Sequence, residues 1–422
     1  MKKKSNLPFF YLTLLSSLTA DALLSFIVPV LVYAYTLDIG MSGLAYGIEW
    51  LVRLMVVPVI GRKIDTMGIR PCAIFFDSLK IVACLGFIGC LSSIDNYLTL
   101  AVVAGIFGSL VALSNAQTLI VYEKYISEIT DEHDGRLERY ANFISRADQL
   151  AMILGPLIGF FVYGIGIEVA VYLAIPLILL NLYFFISRRY LHAYTINAVA
   201  APVISETENP TKSPLSVMMS SGLFAVLLLI VIASFFSNML DGTVEAAGVA
   251  VIFSNMNLPM SYFAFINIAA GLVGVMATFV FSRLYRKETE VFMLTLVVIL
   301  EFIAGLGLFL CFEKFSGFIL CYALCIGSKI LRITLTRIYR IRLIPKQSFA
   351  SLSSIMTVMG QSSLPLVGLL LYISKQLTLR PEYIIVVAAF MVLTCYVFLI
   401  QRWQLKPHAI EQHLHHEEKI KT

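Results

Sequence analysis

Charge is scarce in this chain of 422 residues: only 14% are Asp, Glu, Lys or Arg, against 59% hydrophobic. A soluble globular domain carries about a quarter charged and about half apolar residues, so the scarcity excludes that class, and the mean hydropathy of +0.87 agrees. Histidine is missing from every apolar run. All six, His133, His192, His408, His413, His415 and His416, fall in polar breaks or in the tail, which argues against an imidazole-built metal centre within the apolar part. The tail "HAIEQHLHHEEKIKT" has histidines at no spacing that fixes a coordination geometry, and it reads as a solvated terminus. There is no glycine-rich loop followed by Lys and no nucleophile constellation, so nothing points to nucleotide hydrolysis or to an enzyme. The seven cysteines are odd in number and lie mostly in apolar stretches, with Cys321 and Cys325 on one helix face. They read as small packing groups, not as a disulfide framework.

What the chain has in abundance is apolar runs. A hydrocarbon core needs about 20 apolar residues per crossing, and about twelve such runs follow one another with short polar breaks between. The expected class is therefore all-α and integral to a membrane. The first run, "NLPFFYLTLLSSLTADALLSFIVPVLVYAYT", is too long and too polar at Asp21 for a cleaved signal, and it reads as a retained span. Lys and Arg gather in alternate breaks, among them "MKKK", "GRKIDTMGIR", "SRRYLHAYT", "SRLYRKE" and "RIYRIRLIPKQ". The breaks "TLDIGMSG", "LSSIDN", "FSNMNLP" and "FEKFSG" are nearly free of positive charge. The positive-inside rule then places both termini in the cytoplasm, the chain being multi-pass in the cell (inner, cytoplasmic) membrane. The same topology accounts for the net charge of +5 without any nucleic-acid partner. The longest break, 188–215, contains "VISETENPTKSP" and separates 1–187 from 216–403, each with about six spans, ahead of a polar tail, 404–422.

Between the second and third runs, "GRKIDTMGIR" sets Gly61, Asp65, Gly68 and Arg70 in the spacing Gly-x-x-x-Asp-x-x-Gly-x-Arg. The glycines permit a tight turn and close helix approach, and Asp65 can meet a cation or a helix end. The equivalent break in the second half, "FSRLYRKETE" from Phe281 to Glu290, keeps the cations and loses the glycines. The motif resembles the signature of the major facilitator superfamily. With the division into halves, it implies about twelve transmembrane helices in two pseudo-symmetric six-helix bundles.

Four stretches narrow the resemblance to the ferroportin branch. They are "SLTADALLSF", with Asp21 five residues before Phe26; "AYGIEWLVRLMVVPVIGRKID", Ala45 to Asp65; "SRADQLAMILGP", Ser145 to Pro156; and "GVMATFVFSRLYRK", Gly274 to Lys287. Ferroportins export divalent iron, so the resemblance implies an exporter with metal positions at Asp21 and Asp241. It fails at the soft ligands. Ser25 stands where the family has His, Gly242 where it has Cys, and "LVGLLLY" around Leu370 is wholly apolar where a second His belongs. The resemblance also implies a cytoplasmic gate of Asp65, Glu123, Lys124, Arg146 and Asp148, with acid and cation at 123 and 124 in the reverse of the family's order.

This chain adds charges of its own. Glu49 and Arg53 stand at i and i+4 in the second run, and Asp77 and Lys80 in the third. Lys329, Arg332 and Arg337 share one face of the tenth. Asp241 and Glu245 lie in "DGTVEAAG", a plausible place for an interrupted helix. Ionisable groups at such depth face a cavity or a partner, so the expected substrate cavity is Asp21, Glu49, Arg53, Asp77, Lys80, Asp241, Glu245, Lys329 and Arg332. If Glu49 neutralises Arg53 and Asp77 neutralises Lys80, then Lys329 and Arg332 are left over, and surplus positive charge favours an organic anion over a bare metal ion.

The expected function is a secondary exporter of a small anionic organic solute, with a carboxylate-type siderophore as the concrete case. The alternatives are a ferroportin-like divalent-metal exporter using Asp21, Asp241 and Glu245, a multidrug exporter, and a receptor or assembly partner that moves no solute. The chain calls for no cofactor beyond a coupled proton or other ion. Its partners are the solute or ion and membrane lipid, and it is expected to act as a monomer.

Overall fold

A backbone in hydrocarbon finds no water for its N–H and C=O groups, so apolar runs of this length fold as helices. A computed structural model describes residues 7–91, 93–94, 96–129, 136–187, 224–286, 289–343, 349–377 and 380–404. The first half comprises α1 (Leu7–Thr36), α2 (Ile39–Met67), α3 (Ile69–Leu91), α4 (Tyr97–Ile129), α5 (Arg136–Tyr163) and α6 (Ile167–Ile186). The second comprises α7 (Phe224–Ala250), α8 (Phe263–Leu284), α9 (Glu290–Leu310), α10 (Phe315–Leu343), α11 (Phe349–Gln361), α12 (Ser363–Leu377) and α13 (Pro381–Gln404). The expected linker at 188–215, the tail from 405 onward and all six histidines lie outside the described residues.

Among the described residues, 11 helical stretches are long and apolar enough to cross a membrane, with α11 and α12 forming one of them. The charge-bearing α5 falls outside that set and runs between α1 and α8. The expected all-α membrane fold is thus observed. All seven cysteines are free thiols.

The pairing pattern repeats. Helix α1 packs on α5 and α6, α2 on α4, and α3 on α4 and α6; correspondingly α7 packs on α11, α12 and α13, α8 on α10, and α9 on α10 and α13. The expected interruption in the seventh span is not found. Asp241 and Glu245 sit in continuous α7, because Gly242 serves packing: a Cβ there would meet the Leu364 side chain at 2.5 Å and the Tyr46 hydroxyl at 3.0 Å. The eleventh crossing is the broken one. Pro365, in the first turn of α12, lacks the N–H that would continue α11 through this point.

The halves meet through glycines. Gly43 and Gly47 on α2 lie against Gly368 on α12, and Gly61 further along α2 lies against α11, where a Cβ would come 2.6 Å from the Ala350 carbonyl. Gly271 lets α8 reach the α5 backbone at Gln149, and within the first half Gly155 lets α5 reach the α1 backbone at Leu23. Such contacts replace the hydrophobic drive that lipid cannot supply. A leucine at Gly368 has no room, since its Cβ alone would stand 2.6 Å from the Gly43 carbonyl. Gly368→Leu should therefore cost about 1–3 kcal/mol and lower the thermal unfolding midpoint in detergent, while Leu369→Ala on the lipid-facing side should leave it near that of the wild type. Equal midpoints for the two variants would contradict the close packing of α2 on α12.

Candidate substrate cavity and its ion pairs

Between the halves lies a cavity of about 310 Å³. Four cations line it, Arg53 from α2 and Lys329, Arg332 and Arg337 from α10. Four acids line it as well, Glu123 from α4, Asp148 from α5, and Asp241 and Glu245 from α7. The expected surplus of positive charge is therefore absent.

The pairings explain why. Lys329 Nζ lies 2.5 Å from Asp241 Oδ2, and Asp241 also accepts a hydrogen bond from the Tyr322 hydroxyl at 2.5 Å. Arg332 is 1% exposed, and its Nε reaches Glu301 Oε2 on α9 at 3.2 Å. Ser237 completes that cluster, donating to Glu301 at 2.5 Å and accepting from Arg332 Nη2 at 2.6 Å. Lys329 and Arg332 are thus not left over. Their acids come from neighbouring helices, where spacing along the sequence gives no hint. Glu301 was missed, although a lone acid in the middle of "LVVILEFIAG" was itself a signal of a buried pair.

The first half holds its own buried cluster. Asp21 on α1 pairs with Lys80 on α3, both essentially inaccessible, and Asn115 of α4 donates to Asp21 at 3.4 Å. Asp77 does not neutralise Lys80. It accepts from Asn181 of α6 at 2.8 Å, and the Tyr122 hydroxyl donates to Asn181 at 3.0 Å. Nor does Glu49 neutralise Arg53: the two form no ion pair, and the Glu49 carboxylate sits against Gly108 of α4. Asp21, Glu49, Asp77 and Lys80 consequently pack inside the first half and do not line the cavity, whereas Arg53, Asp241, Glu245, Lys329 and Arg332 do.

Arg53 is the exception to pairing. It is 6% exposed, its guanidinium lies 4.3 Å from the Trp50 ring centroid, and its Nε donates to no protein group. Glu245 accepts from the Tyr46 hydroxyl at 2.9 Å, and Asp148 from its neighbour Gln149 at 3.4 Å.

Charges also tie the halves together at the end carrying the Gly61–Arg70 turn. Asp65 takes both kinds of partner open to it: Lys124 Nζ at 2.5 Å, and the first turn of α11 through Ser351 N at 2.8 Å and Ser351 Oγ at 2.6 Å. Gly68, at φ +86°, makes the turn, and Arg70 caps α6 by donating to the carbonyls of Phe185 and Ile186 at 2.8 and 3.0 Å. Glu123 accepts from Arg337 Nε at 2.8 Å, not from Arg146, and Arg337 also reaches Ser145 of α5 at 2.6 Å. Arg146 instead lies over Phe279 of α8, 4.2 Å from the ring centroid, and donates to Thr278 at 3.2 Å. At the opposite end, besides the Gly43–Gly368 approach, Tyr33 and Ser254 share a hydrogen bond of 2.9 Å. The halves therefore touch on both sides of the cavity.

No family model matches the sequence, and neither does any curated protein. Solved structures do. A bacterial homologue of the iron transporter ferroportin, in an outward-facing state with soaked iron, superposes with a TM-score of 0.69 over 95% of this chain and 100% of that one, at 16% identity. A second structure of a bacterial ferroportin homologue, also outward-facing, gives 0.66 at 17% identity, covering 94% and 99%. The human organic anion transporter MFSD10 (TETRAN) gives 0.65 at 13% identity, covering 93% and 98%.

This is the major facilitator fold. Both kinds of neighbour share it, one solved with iron and the other described as an organic anion transporter. At this level of identity the fold alone carries over, so the cargo has to be argued from the cavity.

Within the facilitator fold, the Glu123–Arg337 bridge joins α4 to α10 across the halves with both side chains 5% exposed. Removing one partner from such a pair typically costs about 3–5 kcal/mol, because a buried charge is left alone. Glu123→Gln and Arg337→Gln should each lower the unfolding midpoint in detergent, and the double variant should recover part of the loss. Additive losses in the double-mutant cycle would show that the two do not interact.

Proposed function

We propose that the chain is a secondary transporter that carries a small organic anion out of the cell by alternating access, recognising the solute's carboxylate with Arg53. The carrying observation is the state of that one guanidinium: it lines a cavity of about 310 Å³ between the two halves, is nearly inaccessible, and has an Nε without an acceptor. Every other cation of the cavity is already bound to a carboxylate of the protein. An unsatisfied buried donor is costly, and a carboxylate ligand supplies the missing acceptor in a bidentate fit. A cavity of this volume suits a small organic solute, and the aromatic face of Trp50 adds the apolar wall such sites use.

The divalent-metal reading meets a specific obstacle. The two acids implied as metal positions, Asp21 and Asp241, hold Lys80 and Lys329. Among the described residues no three His, Cys, Asp or Glu side chains come together as a metal site. The likeness to MFSD10, described as an organic anion transporter, supports the anion reading, and a carboxylate-type siderophore belongs to that class of solute. Outward direction rests on the resemblance to ferroportins. Placement of the Asp65 end in the cytoplasm, in a cell membrane, rests on the distribution of Lys and Arg.

The test compares metabolites and metals in cells lacking the gene, complemented with wild type or with Arg53→Gln. Deletion should raise intracellular carboxylic acids, measured by mass spectrometry, and leave iron and cobalt unchanged. Arg53→Gln should fail to restore export, since losing a charge-assisted hydrogen bond of about 2 kcal/mol weakens binding more than tenfold. Retention of iron or cobalt in the deletion strain, with Arg53→Gln restoring efflux, would establish metal export instead.

A further inference from the structure

The cavity has a second unneutralised group, and its position relative to Arg53 says something about the solute. Glu245 lines the same cavity and accepts a hydrogen bond from the Tyr46 hydroxyl at 2.9 Å, but it forms no ion pair, because Lys329 is committed to Asp241. Tyr46, Trp50 and Arg53 stand at i, i+4 and i+7 on one face of α2. The Tyr46 and Trp50 ring centroids are 6.0 Å apart, and the Arg53 guanidinium is 4.3 Å from that of Trp50. Trp50 thus neighbours both the Arg53 guanidinium and the Tyr46 ring, whose hydroxyl donates to Glu245. A second acid without a cation, Asp148 of α5, faces the same space.

This arrangement selects against a solute that is acidic at both ends. A carboxylate settled on Arg53 satisfies the orphan donor, but another one reaching toward Glu245 meets like charge in a site with little water. A protonated amine at that end gains an ion pair with Glu245 and a favourable approach to the faces of Tyr46 and Trp50. We infer that the transported carboxylate is dipolar: it carries a cationic amine as well as a carboxylate, the carboxylate bound by Arg53 and the amine by Glu245. The inference rests on the reading of this cavity as an organic-anion site.

Three six-carbon acids of matched length separate the possibilities: hexanoate, 6-aminohexanoate and hexanedioate, each titrated by calorimetry against purified wild type, Arg53→Gln and Glu245→Gln. Wild type should bind 6-aminohexanoate at least tenfold more tightly than either of the others. Glu245→Gln, which keeps an acceptor for the Tyr46 hydroxyl, should erase that preference, and Arg53→Gln should weaken all three. An unfolding midpoint for each variant within a few degrees of wild type establishes that the losses are local.

Hexanoate or hexanedioate binding as tightly as the amino acid, and lost in Arg53→Gln, overturns the dipolar solute while leaving the organic-anion reading intact. A wild type that binds none of the three, or binding that Arg53→Gln does not change, overturns both.

Discussion

An ionised side chain in the interior of a membrane protein has no bulk water to turn to, and that constraint draws many of the buried charges into pairs. Asp21 meets Lys80, Asp241 meets Lys329, Arg332 meets Glu301, and Arg337 meets Glu123, in each case on different helices. A pair that joins two helices also fixes their register and rotation. Asp21–Lys80 joins α1 to α3 in the first half, and Arg332–Glu301 joins α10 to α9 in the second. The exposed pair Arg380–Glu382, at 3.5 Å with the arginine 68% exposed, is of the kind that contributes little.

Contacts between the halves are of a different make. At one end they are charged and reversible in character: Asp65 on the α11 N-terminus, Glu123 on Arg337, Arg146 on the Phe279 ring. At the other they are apolar and aromatic: glycine approaches, the Phe26–Phe263 and Tyr33–Phe253 ring contacts, and a tyrosine–serine hydrogen bond. The apolar set is continuous with the cores of the halves, since one buried cluster takes residues from both, among them Leu31, Ala247 and Ala264.

Much of this was legible in the sequence. Apolar runs and alternating cationic breaks gave the membrane class, and the spacing around Asp65 pointed to a contact with a cation or a helix end that the structure supplies through Lys124 and Ser351. Pairing was the part that could not be read. Sequence proximity suggested Glu49 with Arg53 and Asp77 with Lys80, yet neighbours at i+3 or i+4 lie side by side on one face and point away from the helix together, whereas a partner on the next helix can meet the charge head-on. Lys80 thus reaches past Asp77 to Asp21, 59 residues away in sequence, and Arg332 finds Glu301 on α9. The expected break in α7 failed for a related reason: a glycine reports close approach as readily as it reports a bend, and only the neighbour at Leu364 decides which.

The two Asp–Lys pairs look alike on paper but differ in what surrounds them. Asp21 and Lys80 are shut off, with side-chain exposures of 2% and 0%, inside one half and away from the cavity. Asp241 and Lys329 keep 14% and 11% of their side-chain surface and line the cavity itself. A tethered ammonium supplies permanently the charge that a bound cation would supply transiently, so Asp21–Lys80 acts as a strut. Lys329 and Asp241, by contrast, face the cavity, and Tyr322 also donates to that carboxylate. The same residue chemistry therefore stands as a closed pair in one half and as part of the cavity wall in the other, and what separates the two is access to the cavity.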